Sequence, residues 1–279
     1  MITKTDAVVL KSMKFRGTSK IVTFYTRRYG KLKGVAKGAR ETKSKFGASL
    51  EPMTLVSLVL YKKEHRDLQL ISQADILHRH KSIHSDFDRM PVALSVIELL
   101  NRLTHEEEEN SLLYALVLET LDAIDRAPRN AVNVLFAFEL RVCSLFGFAP
   151  ALDRCVACGR SLEGLEGKGV VLQLPRGAVY CPACSGPIPV FDPERLLTVR
   201  RSHHGASEAA ERAGTIRLSM PALQILRRLA SANLAGVTGL EYNQEVGNEL
   251  EVTLRLYLRY HFEEFRPLRS LKMFHIALK

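Results

Sequence analysis

The first 80 residues alternate between short apolar runs and turn residues, which is typical of a small β-protein. The runs are rich in β-branched and aromatic residues, and glycine or polar segments separate them. Five strands are predicted, within Ala7–Leu10, Ile21–Tyr25, Gly30–Arg40, Met53–Tyr61 and Leu68–Ile71. Five short strands in this length favour a closed barrel, because closure removes exposed edges. An oligonucleotide-binding (OB) barrel is the leading candidate, and an SH3-like barrel stays open.

After residue 82 the apolar positions take the spacing of amphipathic helices. Helices are predicted over Met90–Leu103, Ser111–Ile124, Asn130–Phe146, Glu194–Val199, Ser219–Leu229 and Leu240–Phe265. Asn130 is expected to cap the third of these helices, and the acidic run Glu106–Glu109 is expected to be a solvated turn. The sequence therefore predicts an α+β protein with an OB-fold domain at residues 1–80 and an α-helical domain at residues 81–279.

Four cysteines interrupt the helical pattern and form two C-x-x-C pairs with 22 residues between them. They are Cys155, Cys158, Cys181 and Cys184. Two such pairs on tight turns can surround one Zn²⁺ ion tetrahedrally at about 2.3 Å from each sulfur, although this spacing slightly exceeds the usual window. We predict one structural zinc in an insert at residues 153–186. Two disulfides or four free thiols are the alternatives, and neither explains the paired spacing.

The positive charge of the chain is concentrated in the predicted barrel. Residues 1–79 contain 17 basic and 6 acidic side chains, whereas the net charge of the whole protein is +10. Such a block favours a polyanionic partner, most commonly nucleic acid. Candidate nucleic-acid contacts are Lys11, Lys14, Arg16, Lys20, Lys31, Lys33, Lys37, Arg40, Lys43 and Lys45. Phe15, Phe24, Tyr25 and Phe46 are candidates for base stacking, with the barrel core as the alternative.

The sequence contains no recognisable catalytic or nucleotide-binding motif. It has no G-x₄-G-K-[ST] phosphate loop, no G-x-G-x-x-G after a strand and no G-x-S-x-G. A four-thiolate zinc site also leaves no coordination position for water or substrate. We therefore expect no enzymatic activity and no nucleotide cofactor. Because no apolar stretch approaches the length of a membrane span, we expect a cytoplasmic protein.

Several segments resemble the RecO family of bacterial DNA repair and recombination mediators. The segment Gly30–Arg40 is similar to the family's basic strand and turn, and Leu50–Pro52 is similar to the motif that follows it. Thr18–Thr23 resembles the second strand, while Leu258–His261 and Leu268–Lys272 resemble the last helix and tail. The resemblance covers the whole chain and is most specific near its beginning.

The resemblance implies a DNA-binding protein that works without ATP. Family members bind single- and double-stranded DNA through the OB domain and anneal complementary strands. They bind the C-terminal tail of single-strand binding protein (SSB), associate with RecR and help to load RecA on SSB-coated DNA. Two alternatives of other classes stay open: a zinc-ribbon RNA-binding protein, and an enzyme with a structural zinc and an unrecognised active site.

Overall fold

Five strands close a barrel at the beginning of the chain. In this computed structural model, which describes residues 1–64, 66–165, 169–186, 214–263, 265, 268 and 270, the strands are β1 (Ile2–Phe15), β2 (Ser19–Thr26), β3 (Gly30–Ala36), β4 (Leu55–Tyr61) and β5 (Gln69–His78). Their order around the barrel is β1-β2-β3-β5-β4. Only the β3–β5 pair among these is parallel. The topology confirms the predicted OB-type barrel.

The length of β1 allows the barrel to close. Its first half pairs with β4 and its second half with β2, and the register shifts between Val9 and Lys11. Before this irregularity the strand is largely buried, and beyond it the residues through Phe15 are exposed or half-buried. A bulge at this position bends the strand and increases its local twist.

Alternating side chains fill the barrel. In β3 every second residue is buried, which is the period-2 pattern of a strand with one face in a core. The buried cluster consists of Ala7, Val9, Val22, Phe24, Leu32, Ala36, Ala39, Phe46, Leu50, Val56, Leu58, Leu60, Ile71 and Ala74.

Three helices follow the barrel and belong to the same compact unit. They are α1 (Lys81–Ser85), α2 (Arg89–Leu103) and α3 (Ser111–Arg126). The unit comprises Met1–Arg126 together with Leu268 and Ser270 among the described residues near the end of the chain, so it extends past the predicted boundary at residue 80. Ser270 donates to Glu98 of α2 from its backbone N–H at 3.0 Å.

The acidic turn after α2 packs closely on the barrel. Glu107 N donates to Lys31 O at 3.0 Å, and a Cβ on Gly30 would lie 1.8 Å from Glu108 O. Gly30 also has φ +58°, so both its backbone conformation and the close approach require glycine. The turn is exposed, as expected, but it makes specific contacts that its sequence does not reveal.

The second unit, Ala127–Pro267, combines helices with a small sheet. Its described helices are α4 (Ala131–Leu145), α5 (Met220–Ser231) and α6 (Gln244–His261). Its described strands are β6 (Ala151–Cys155), β7 (Val170–Gln173), β8 (Ala178–Tyr180) and β9 (Thr215–Leu218), in the order β6-β8-β7-β9. The β7–β8 hairpin carries the chain from one cysteine pair towards the other.

Two predicted helix beginnings differ from the structure. Asn130 has φ +49° and no capping hydrogen bond from its side chain; its amide donates instead to Leu240 O at 3.1 Å. The last helix begins at Gln244 rather than at Leu240, because Asn243 accepts a hydrogen bond from Val246 N at 2.9 Å and caps the helix.

The predicted helix Glu194–Val199 lies outside the described residues.

None of the helices within the described residues combines the length and the apolar character needed to cross a bilayer.

Candidate nucleic-acid interface and metal centre

The outward face of β1, β2 and β3 carries alternating cationic and apolar rows. Met13 pairs with Ile21, which pairs with Val35 on the next strand. These three residues form the apolar row. The cationic row lies two residues away along each strand, and therefore on the same face: Lys11 pairs with Thr23, which pairs with Lys33. Met13 and Lys11 are exposed, whereas Ile21 and Val35 are half-buried. Cationic side chains thus alternate with apolar side chains on this face, an arrangement that suits a nucleic-acid ligand.

The apolar row continues around the barrel beyond these strands. Val35 pairs with Leu70 of β5, Leu70 with Tyr61 of β4, and Tyr61 with Ile2 at the beginning of β1. The exposed fractions of Leu70, Tyr61 and Ile2 are 38%, 42% and 61%. An exposed apolar row of this length is uncommon on a monomeric protein and indicates a binding surface.

A groove of about 400 Å³ lies on the same face of the barrel. It is lined by Lys11, Met13, Ile21, Thr23, Lys31, Lys33, Leu68 and Asn101. OB barrels bind their ligands on a face formed by β2, β3, the β1–β2 loop and the β4–β5 loop. This groove occupies the same face.

The basic turn of the β1–β2 hairpin is held against the basic loop after β3. Arg40 Nη1 donates to Gly17 O at 2.9 Å, and Arg40 N donates to Thr18 O at 2.8 Å. Thr18 Oγ1 donates to Glu41 at 3.0 Å. Several predicted contacts therefore form one exposed basic edge, defined by Lys14, Arg16, Lys37, Arg40, Lys43 and Lys45.

Lys20 lies directly opposite Lys14 in the same hairpin. Like charges at opposed positions destabilise a pair of strands. A bound polyanion would remove this repulsion, so the pair is consistent with a phosphate ligand.

The two predicted contacts on β3 also have partners inside the protein. Lys31 Nζ donates to Asn101 O at 2.8 Å and also to Thr104 O, both at the C-terminal end of α2. Lys33 forms an ion pair with Glu106, and both side chains are about two-fifths exposed, at 41% and 42%. Lys33 can exchange this surface pair for a phosphate at small cost, whereas Lys31 has a structural role.

Three of the four candidate stacking aromatics are buried in the protein. Phe24 is 1% and Phe46 is 3% exposed, so both belong to the barrel core. Tyr25 stacks against Tyr114 of α3 at a centroid distance of 6.4 Å, and burial raises its pKa to about 12. Phe15 is half-buried next to Arg16 and is the only one of the four on the described surface.

The sequence reasoning missed exposed cations in the loop between β4 and β5. They are Lys63 and Arg66, both exposed, which precede the groove residue Leu68 in the same loop. This loop is one of the two loops that OB barrels use for ligands. The fold prediction, applied loop by loop, would have identified them.

The four predicted cysteine ligands converge in the second unit. The Sγ atoms of Cys155, Cys158, Cys181 and Cys184 all lie within 4.8 Å of one another. Cys158 Sγ and Cys181 Sγ are 3.9 Å apart. This matches the separation of about 3.8 Å expected for sulfurs at 2.3 Å from a tetrahedral ion.

The backbone around Cys155 favours the thiolate that a metal requires, whereas side-chain hydrogen bonds with Cys181 and Cys158 raise the pKa of Cys184 to about 12. Gly159 N donates to Cys155 O at 2.9 Å, and Cys184 N donates to Cys181 O at 3.0 Å, which closes both turns. Cys181 N lies 3.4 Å from Cys155 Sγ. Burial raises the pKa of Cys155, but hydrogen bonds from the backbone N–H groups of Cys181, Cys158 and Ala157 outweigh this effect and lower the pKa to about 6. The cluster can hold a metal ion.

The fifth cysteine plays no part in this centre. Cys143 is fully buried on α4, and burial raises its pKa to about 12. It packs as a small apolar residue, in agreement with its position on the apolar face of the predicted helix.

Comparison with known proteins agrees with this geometry. Residues 1–80 match the family described as Recombination protein O N terminal, and residues 84–171 match Recombination protein O C terminal. The chain is 34% identical to a DNA repair protein RecO of Salinibacter ruber, over 96% of this chain and 92% of that protein. It is 30% identical to the RecO of Chlorobium limicola over 97% of each chain. It is 41% identical to the RecO of Chlorobaculum parvum over 59% of this chain and 63% of that protein.

Proposed function

The chain belongs to the RecO family of DNA repair proteins, and we propose that it binds single- and double-stranded DNA and anneals complementary strands without ATP. The observation that carries this proposal is the alternation of cationic and apolar rows on the outward face of β1–β3. Annealing brings two polyanions together, so charge neutralisation at close range is the main contribution required of the protein.

Single and double strands place different demands on this surface. Phosphates of either form can meet Lys11, Lys33 and the basic edge, with release of counterions and no reading of sequence. Unpaired bases can also contact the apolar row, because every base has an apolar face. The row therefore supports a preference for single strands, and the basic edge supports binding to both forms.

A structural zinc ion is the second part of the proposal. The donor set of four thiolates and the 3.9 Å separation of Cys158 and Cys181 support Zn²⁺ in particular. Such a centre contributes its binding free energy to the folding of the second unit and takes no part in chemistry. We propose a non-enzymatic role for the whole protein.

The remaining partners are proposed from what the resemblance to the RecO family implies. We propose that the part of this chain after residue 80 binds the C-terminal tail of SSB. We also propose that the protein associates with RecR and helps to load RecA on SSB-coated DNA. An acidic tail with a hydrophobic end requires an apolar pocket with a cationic rim. Because the substrate is chromosomal DNA in repair and recombination, we place this activity at the nucleoid in the cytoplasm.

A binding comparison tests the proposed function directly. Fluorescence anisotropy with labelled single-stranded DNA, duplex DNA and structured RNA is measured at two salt concentrations, followed by annealing of complementary strands with and without ATP. We expect salt-sensitive binding to both DNA forms and annealing that ATP does not change. Selective binding of structured RNA, or annealing that depends on ATP, would contradict the proposal.

A further inference from the structure

A second group of potential metal ligands lies where the barrel leads into the helices of the first unit. The ligand atoms of His78, His80 and Asp122 all lie within 4.8 Å of one another. His78 ends β5, His80 immediately precedes α1, and Asp122 belongs to α3. These residues are separate from the cysteine centre and from the nucleic-acid face.

His80 is oriented as a metal-binding histidine would be. Its ring is 1% exposed, and its Nδ1 lies 2.9 Å from Met53 O. Because a carbonyl oxygen only accepts, Nδ1 carries a proton and donates it. This leaves Nε2 as the nitrogen that can coordinate, with its orientation fixed by a backbone carbonyl on the other side of the ring.

Nε2 of His80 faces a carboxylate oxygen at short range. It lies 3.3 Å from Asp122 Oδ1. A lone pair on nitrogen and a carboxylate oxygen repel each other at this distance, so a positive charge between them is required. Either a second proton on His80 or a bound cation supplies it.

The position of His78 favours the cation. His78 Nε2 lies 3.8 Å from the same oxygen of Asp122, and the two imidazole rings meet edge to face at 4.6 Å. A single proton serves one nitrogen–oxygen pair, whereas a metal ion serves all three ligands. An ion bound at about 2.1 Å in tetrahedral geometry separates its ligands by about 3.4 Å, which is close to the two observed distances.

We propose that His78, His80 and Asp122 form a second metal site, which binds a divalent transition metal ion of the Zn²⁺, Co²⁺ or Ni²⁺ class. Two imidazoles and one carboxylate suit these ions better than Mg²⁺ or Ca²⁺. His78 and Asp122 are 48% and 44% exposed, so water can complete the coordination. The ion links the end of β5 to α3 and stabilises the first unit when it binds.

A cobalt titration of the full chain tests the site. The protein is first loaded with one equivalent of zinc per chain, which the four thiolates bind more tightly than a site of two imidazoles and a carboxylate, and Co²⁺ is then added in equilibrium dialysis with absorption spectroscopy. We expect one additional Co²⁺ per chain, with bands of nitrogen and oxygen ligands and no thiolate charge-transfer band. His78→Ala and Asp122→Asn should each weaken this binding by at least about tenfold.

The controls separate this site from other ligands. Both variants alter partly exposed side chains, so the fold should persist even if a His80 variant misfolds. His105→Ala removes an exposed histidine of the same unit and should leave the binding unchanged. Absence of additional Co²⁺ in protein loaded with one zinc per chain, or equal Co²⁺ binding by His78→Ala and the unchanged protein, would show that the cluster is only an imidazolium–carboxylate pair.

Discussion

The ammonium of Lys31 on β3 lies 2.8 Å from the carbonyl oxygen of Asn101, in the last turn of α2. Carbonyl groups at this end of a helix have no partner within the helix and carry the negative end of its dipole. A lysine from the barrel therefore stabilises the end of a helix 70 residues later in the chain. Lys11 lines the same groove as Lys31, but its side chain is exposed whereas that of Lys31 is half-buried.

The first prediction separates these two lysines. Lys31→Met should lower the free energy of unfolding by about 1–2 kcal/mol, because it leaves helix-end carbonyls without a donor, while DNA affinity changes little. Lys11→Met should weaken DNA binding without changing the midpoint of thermal denaturation. Thermal denaturation and anisotropy measure the two effects. Weaker DNA binding by a fully stable Lys31→Met protein would make Lys31 a phosphate ligand.

The sequence predicts the barrel well because its strands are local patterns. The residue alternation that produces period-2 burial in β3, and the glycines at the turns, can be recognised within about ten consecutive residues. The role of Lys31 depends on a contact with Asn101 that only the folded chain creates, so a count of cations places it with the other lysines. The same holds for Phe46. Its place in a basic loop leaves both base stacking and the barrel core open, and in the folded chain it lies in the core with 3% of its surface exposed.

The candidate metal sites show the same division. The cysteine pairs are recognisable because each C-x-x-C is a local chelating turn, and their convergence follows from metal geometry. His78 and His80 are also close in sequence, but their third partner, Asp122, lies far along the chain on α3. Nothing in the spacing of an ordinary amphipathic helix distinguishes that aspartate from its solvated neighbours.

The second prediction concerns the basic edge. Lys37, Lys43 and Lys45, all exposed, are changed together to Glu, and Arg40 is kept because it binds the hairpin turn. DNA affinity should fall equally for all sequences, and the slope of log K against log salt should shrink by about 0.7–0.9 for each phosphate that the variant no longer neutralises. Annealing should fall in parallel. A folded triple variant that anneals at the normal rate would show that this edge is only a solvated surface.

The third prediction concerns the apolar row. Met13→Ser removes an exposed apolar side chain from the groove face and should weaken binding of single-stranded DNA by roughly threefold to tenfold, since unpaired bases then have less apolar surface to pack against. Binding of duplex DNA should change little. Leu77→Ser, which alters a comparably exposed residue outside the row, is the matched control. Equal weakening for both DNA forms would argue against base contacts at Met13.

The fourth prediction concerns the cysteine centre. The purified protein should contain one tightly bound zinc per chain, and Cys158→Ala should release it and destabilise the second unit, because three ligands open the coordination shell. Elemental analysis and thermal denaturation measure these effects. Cys143→Ala removes a thiol that lies outside the cluster and should retain the metal. Freshly purified, reduced protein without zinc would refute the assignment.

The fifth prediction uses the buried carboxyl group of Glu139 on α4. Burial, with a further contribution from Glu251, raises its pKa from 4.5 to about 8. Between these values the folded protein keeps the proton that the unfolded chain releases, so stability falls as pH rises from 4.5 to 8. The full effect is on the order of 5 kcal/mol. Below pH 4.5 both states are protonated and no penalty remains.

Glu139→Gln should remove this dependence, because the amide is neutral at every pH and nearly equal in size to the protonated acid. Urea unfolding at about pH 5 and pH 8 measures it: the variant should gain stability relative to the unchanged protein at the higher pH and differ little at the lower one. Glu245→Gln, an exposed change on α6, should leave the pH dependence intact. If the unchanged protein and Glu139→Gln become less stable by the same amount across this range, Glu139 is ionised in the folded state and the burial argument fails.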